Sequence, residues 1–208
     1  MAILTASGDR AFCAGSDLKW MEANPDSPPW VLHGGAGGFG GLSDRADFFK
    51  PVVCALNGSV FGGGVGLALA CDLIVASEDA VIALPEAQVG NVAGFGAIER
   101  LMRQLPEKLA MEIILTGRRI GALEALQWGL VNRVVAPDAV LLTAIELAER
   151  ILAASPRATR ANKQIAAGAK DLPVVDASNR IRSGMIELWE SPEHAEGHQA
   201  FVEKRPLR

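Results

Sequence analysis

The chain has 208 residues, half of them apolar, and a net charge of −4 from 20 Lys and Arg against 24 Asp and Glu. That balance works against a protein whose affinity comes from nucleic-acid phosphates, and the apolar share excludes disorder and permits a sizeable core. Cys13, Cys54 and Cys71 are odd in number and scattered among apolar neighbours, so they read as small buried hydrophobes in a reducing compartment rather than as a disulfide framework or metal site. No apolar run reaches the length of a membrane span, and residues 1–5 carry no basic leader, so the cytoplasm is the expected compartment.

In chain order, short apolar runs at residues 2–5, 52–56, 73–76 and 81–84 are bounded by Gly, Pro, Asn or Asp, and predict strands covered on both faces. Residues 24–43, with Pro25, Pro28, Pro29, Gly34, Gly35, Gly37, Gly38, Gly40 and Gly41, have loop composition; so long a loop in a compact domain is usually functional. The small-residue segment 64–71 predicts a short buried helix and closes a βαβ unit. From Ala97 onward the pattern is helical. Pro106 suits a helix start and Gly117 its stop, and Leu123, Leu126 and Leu130 recur at helical spacing. An apolar stripe of Leu141, Leu142, Ile145, Leu147, Ala148 and Ile151 marks a helix over residues 138–154, and Pro156, Pro173 and Pro192 punctuate the last three helical segments.

Some motifs dissolve on inspection. Gly35-x-Gly37-x-x-Gly40 spells a dinucleotide fingerprint but lacks the flanking strand, helix and acid. Ser16-Asp17-Leu18-Lys19 spells S-x-x-K without its partner motifs, and His194 and His198, four apart, have no third metal ligand. Two segments resist such dismissal. Arg10 to Leu18 follows the first strand, and Asn57 to Leu67, with Gly62-Gly63-Gly64, joins the second strand to a helix. Small residues at a strand exit let backbone approach a ligand, and a helix start points N–H groups at it; two such amides converging would hold a developing oxyanion.

Phe12-Cys13-Ala14-Gly15-Ser16-Asp17-Leu18, Asn57-Gly58 through Gly64, Ala70-Cys71-Asp72, Leu84-Pro85-Glu86-x-x-x-Gly90 and Leu115-Thr116-Gly117-Arg118-Arg119 occur in order, and the end, Glu196 to Arg205, completes the set. Together they resemble the enoyl-CoA hydratase/isomerase (crotonase) superfamily over essentially the whole chain. Gly38-Phe39-Gly40-Gly41-Leu42, Met111-Glu112, Trp128 to Val135 and Ile181-Arg182-Ser183-Gly184 look closest to carnitinyl-CoA dehydratases (crotonobetainyl-CoA hydratases). The resemblance implies an α/β protein: a crotonase-like ββα spiral core over residues 1–135, then a helical region over 136–208 that mediates trimers or dimers of trimers. It implies an acyl-CoA substrate, with coenzyme A as thioester carrier and no permanently bound cofactor, metal, nucleic acid or membrane partner.

Carried over by position, the amides of Ser16 and Gly63 would form the oxyanion hole, and Glu86 would be a catalytic glutamate whose apolar walls raise its pKa. Ala14, Gly15, Asp17 and Lys19 fall on the coenzyme A side, Asp17 being read, like Asp72, as a structural acid; Glu99 has no assignment. Phe201 and Lys204 of a neighbouring subunit match positions that meet the phosphate or adenine end.

The sequence departs from the family pattern in two places. The hydratases' other catalytic glutamate falls at Gly66, which has no side chain to hold water. A third acid known in dienoyl-CoA isomerases falls near Gly94. Family chains also begin with a strand, hairpin and helix ahead of Ala2, so an internal start or a truncation is expected, leaving a sheet edge unpaired and the coenzyme A groove incomplete. The first reading is an enoyl-CoA hydratase/dehydratase, carnitinyl-CoA-like in type. Its rivals are a Δ3,Δ2-enoyl-CoA isomerase working with one glutamate, and a non-catalytic acyl-CoA-binding homologue.

Overall fold

In the computed structural model, residues 1–27 and 35–207 are described; Pro28, Pro29 and Gly34 of the long loop lie outside them. Two compact units divide the chain. One comprises Ile3–Asp47 and Val52–Ile145, the other Met1–Ala2, Phe48–Pro51 and Glu146–Arg208.

The first unit holds two sheets that the chain visits almost alternately. β1 (Ala2–Leu4), β3 (Val52–Leu56), β5 (Leu73–Ser77) and β8 (Arg133–Val135) form one in that order; β2 (Ala11–Cys13), β4 (Ser59–Phe61), β6 (Val81–Ala83) and β7 (Ile120–Gly121) form the other. β3 pairs parallel with β5 in the register Val53 to Leu73 and Leu56 to Ala76, and β5 pairs parallel with β8. β4 lies parallel to both β2 and β6, while β6 and β7 are antiparallel. Every residue of β3 is buried, as the unbroken apolar run requires, and each Val or Leu so enclosed stabilises the fold by about 1.5–3 kcal/mol. Strand, strand, helix and back to the first sheet is the expected ββα spiral. Helix α1 (Leu18–Ala23) follows β2, and α2 (Gly63–Leu69) follows β4.

After Ala97 the helical expectation holds for α3 (Ala97–Gln104), α4 (Glu107–Thr116), α5 (Ala122–Gln127) and α6 (Val140–Leu152). Pro106 is the N-cap of α4, and Gly117 ends it in the left-handed conformation. Two segments of this region are strands instead, β7 and β8. Gly129 turns the chain at φ +75, and the β-branched pair Val134 and Val135 then extends alongside Ala76 and Ser77.

Several large members of the apolar stripes face outward. Ala122 and Ala125 are the buried face of α5, whereas Leu123 and Leu126 are exposed; on α6, Val140, Ala144 and Ala148 are buried while Leu141, Leu142 and Ile145 are exposed. Small side chains let these helices lie close to what they cover, and the large ones are left outward.

The second unit contains α7 (Pro156–Ala169), α8 (Val174–Trp189) and α9 (Pro192–Val202), each started at its proline; Ser155 and Ser191 cap the first and third through Ala158 and His194 N–H groups. Gly184 on α8 lets Ile165 of α7 pack directly on its backbone. Arg205 donates to both carboxylate oxygens of Glu196, at 2.6 and 3.0 Å, and fixes the turn after α9. His194 and His198 pack tilted against each other, with ring centroids 4.2 Å apart, and Trp189 meets His194 at a tilt and His198 edge-on. Among the described residues no group of three metal-binding side chains occurs, and no helix is long and apolar enough to cross a membrane.

Candidate active site

Two strand exits meet in the first unit. β2 ends at Cys13 and runs through Ala14, Gly15 and Ser16 to Asp17, whose Oδ1 accepts from the Lys19 and Trp20 N–H groups (3.0 and 3.1 Å) and starts α1. β4 runs parallel to β2 and ends at Phe61; Gly62 then turns at φ +58, and α2 begins at Gly63. The two exits approach so closely that a Cβ on Gly15 would lie 3.1 Å from the Gly63 nitrogen and 3.2 Å from the Phe61 carbonyl oxygen. Gly63 opens its helix, so its N–H has no partner within the helix.

β6 leads into the third component. Pro85 to Val89 form a 3-10 turn that ends in left-handed Gly90. The turn points Glu86 across Gly62, where Oε1 would stand 2.7 Å from an added Cβ. Its other oxygen, Oε2, is buried and has no hydrogen-bond partner among the described residues. Burial raises the Glu86 pKa above the ordinary carboxylate value, opposed in part by its backbone hydrogen bond. A carboxylate oxygen without a donor, in an apolar surround, is costly to keep charged.

These parts face a cavity of about 800 Å³. Ala14, Gly15, Ser16, Gly62, Gly63 and Glu86 line it, joined by Leu18 and Met21 of α1, Val89, Asn91, Val92, Gly94 and Phe95, and by Asp44. The volume is that of a small-molecule site with mostly apolar walls and few polar groups. The predicted positions thus separate cleanly. Glu86, Ser16, Gly63, Ala14 and Gly15 come together. Asp17 caps the helix beside them, and Lys19 lies exposed in that helix's first turn. Phe201 and Lys204, both exposed, belong to the other unit. Asp72 is structural: Oδ2 accepts the Val52 N–H at 2.7 Å.

Gly66 is buried one turn into α2, and no side chain fits there. A Cβ would run into the Phe95 carbonyl oxygen and lie 3.1 Å from the Ala97 nitrogen. Phe95 itself holds φ +55, a conformation a bulky residue adopts only when its surroundings impose it. Its ring stands 5.2 Å from that of Phe39, and both cover Gly63. Sequence reading stopped the loop at Ser43 and so missed Asp44, the neighbouring acid. It also missed Phe95 and Asn91, which no motif marks.

The model of the enoyl-CoA hydratase/isomerase family matches residues 1–208. A carnitinyl-CoA dehydratase of Proteus mirabilis is 43% identical over 99% of this chain and 79% of its own length; one from Salmonella enteritidis is 44% identical with the same coverage. Among solved structures, the enoyl-CoA hydratase EchA1 of Mycobacterium marinum superposes with a TM-score of 0.89 at 37% identity, covering 99% of this chain and 79% of that one. An enoyl-CoA hydratase of Bacillus anthracis gives 0.90 at 33% identity with the same coverage. Closely approaching strand exits, a buried glutamate beside them and similarity along the whole chain lead to one assignment: the protein belongs to the enoyl-CoA hydratase/isomerase (crotonase) family.

Proposed function

We propose that this member is an enoyl-CoA hydratase/dehydratase that exchanges a proton at the carbon alpha to a coenzyme A thioester, with Glu86 as the proton carrier. The observation that carries this reading is the partnerless Oε2 of Glu86, held beside the Gly15 and Gly63 wall of a cavity large enough for an acyl chain. In the proposed geometry the Ser16 and Gly63 amides donate to the thioester oxygen as it gains charge, which stabilises the enolate-like state more than the substrate. Glu86, its pKa raised by burial, gives its proton to the alpha carbon in hydration and takes it back in dehydration.

A carnitinyl-type acyl group is the proposed substrate class, after the names of the relatives. Residues 1–135 carry the site in this reading, and residues 136–208 serve assembly into trimers or dimers of trimers. In that assembly Phe201 and Lys204 of an adjacent subunit, with Ala14, Gly15, Asp17 and Lys19, hold the coenzyme A end. The three free cysteines fit a reducing, cytoplasmic setting.

One observation favours a second reading: Gly66 offers no carboxylate and its place is closed by Phe95. A Δ3,Δ2-enoyl-CoA isomerase needs only one base. Ultraviolet assays on crotonyl-CoA and on a 3-enoyl-CoA separate the two. Loss of the conjugated absorbance of crotonyl-CoA, abolished by Glu86→Gln, is the expected result. Conversion of 3-enoyl to 2-enoyl thioester with no hydration favours the isomerase, and acyl-CoA binding without either reaction favours a binding protein.

A further inference from the structure

Hydration needs two proton-handling groups, one for the alpha carbon and one for the water that attacks the beta carbon. The titratable side chains among the cavity's lining residues are Glu86 and Asp44. Resting on the hydratase reading above, we propose that Asp44 is the second acid–base group of this enzyme, standing in for the carboxylate that Gly66 lacks.

Asp44 is held, not loose. Ser43, almost wholly buried, donates through Oγ to Asp44 Oδ1 at 2.7 Å, and the same Oγ accepts the Phe39 N–H at 2.8 Å. The Asp44 N–H donates to the Gly37 carbonyl at 3.1 Å. Arg100 of α3 braces the segment from behind, donating to the Ser43 carbonyl at 2.7 Å and to the Gly96 carbonyl at 3.1 Å. Gly38, at φ +64, is the residue that leaves space: any Cβ there would strike the Asp44 carboxyl group. With Oδ1 taken by Ser43, Oδ2 has no donor among the described residues, and Asp44 is exposed at the cavity it lines. This is the arrangement a water-positioning carboxylate needs, one oxygen fixing the rotamer and the other meeting the water.

The balance closes without any further reactant. Asp44 takes a proton as the water oxygen bonds to the beta carbon; the π electrons shift toward the thioester, and Glu86 delivers its own proton to the alpha carbon. Solvent returns one proton from Asp44 to Glu86 for the next turnover. The segment that closes the place at Gly66 is tied to the segment that carries Asp44: Arg100, which secures Ser43, also donates to the carbonyl of Gly96, next to Phe95.

The test pairs two readouts on the intact protein, crotonyl-CoA hydration and exchange of the alpha protons of butyryl-CoA with D2O. Asp44→Asn keeps an acceptor for Ser43 and is expected to lower hydration at least 100-fold while alpha exchange stays within threefold; Glu86→Gln is expected to lose both. Asp44→Ala is expected to recover part of its hydration in added formate. Hydration by Asp44→Asn within threefold of wild type overturns the assignment of Asp44 and leaves the hydratase reading standing. An equal fall of both reactions, with no recovery in formate, assigns Asp44 a bracing role and also overturns it. Wild type that exchanges alpha protons but hydrates nothing contradicts the hydratase reading itself.

Discussion

Glu86 sits where the protein's own stability and its chemistry oppose one another. Burial raises its pKa, so the folded state binds this proton more tightly than the unfolded chain does. Its contribution to stability is therefore complete below the unfolded value of about 4.3 and is lost as pH rises through the higher folded value. Glu86→Gln removes that loss. The variant is expected to melt above wild type at pH 7–8 and together with it near pH 4, while its turnover falls roughly 10²–10⁴-fold; thermal melts across that pH range check the sign. Gly66 makes the complementary point. Gly66→Ala forces its Cβ onto the Phe95 carbonyl and is expected to cost about 1–3 kcal/mol in urea unfolding. Gly66→Glu, which restores the letter usual in hydratases, is expected to be less stable still and to gain no hydration.

At the scale of elements, the site exists because short strands end side by side, and Asn57 is one of the residues that holds them so. Its Nδ2 donates to the Ala6 and Gly8 carbonyls at 3.0 and 2.7 Å, and its Oδ1 accepts the Ala6 N–H at 3.2 Å. It thus ties the chain between β1 and β2 to the end of β3. Asn57→Ala is expected to cost about 2–3 kcal/mol, at roughly 1 kcal/mol for each hydrogen bond lost, and to raise KM more than it lowers kcat, because the Ala14 to Ser16 limb loses its anchor. Denaturant titration with steady-state kinetics on the same preparation measures both.

Here the sequence was legible in part. The glycines, Glu86 and the strands β3, β5 and β6 stand out because close approach and full burial leave strong compositional marks. β2, β4, β7 and β8 span two or three residues each, too few to show a period, and their pairing is decided by partners distant in sequence. Asp44 carries no motif at all; only the fold brings it to the cavity of Glu86. The leucine stripes of α5 and α6 signalled helices correctly but not the inward face, since close packing selected alanine there.

Those outward leucines bear on the whole molecule. Leu123, Leu126, Leu141, Leu142 and Ile145 in one unit, and Val174, Val175, Trp189, Phe201 and Val202 in the other, are large apolar side chains left exposed on the single chain, more than a lone surface ordinarily scatters. The proposed assembly would cover such surface, and a shared coenzyme A site follows from the proposed roles of Phe201 and Lys204. Mixing Glu86→Gln protomers with protomers carrying Phe201→Ala and Lys204→Ala is expected to restore activity after joint refolding. Each defect would then fall in a different half of some sites. No recovery in mixtures that co-assemble by sedimentation would place both halves in one chain.

The measurement that bears most directly on Glu86 as proton carrier at a thioester's alpha carbon is exchange of butyryl-CoA alpha protons in D2O, followed by NMR for wild type and Glu86→Gln. Exchange by wild type, reduced at least 100-fold in a variant that still binds the thioester, is the expected outcome. Exchange at comparable rates in both proteins would contradict it.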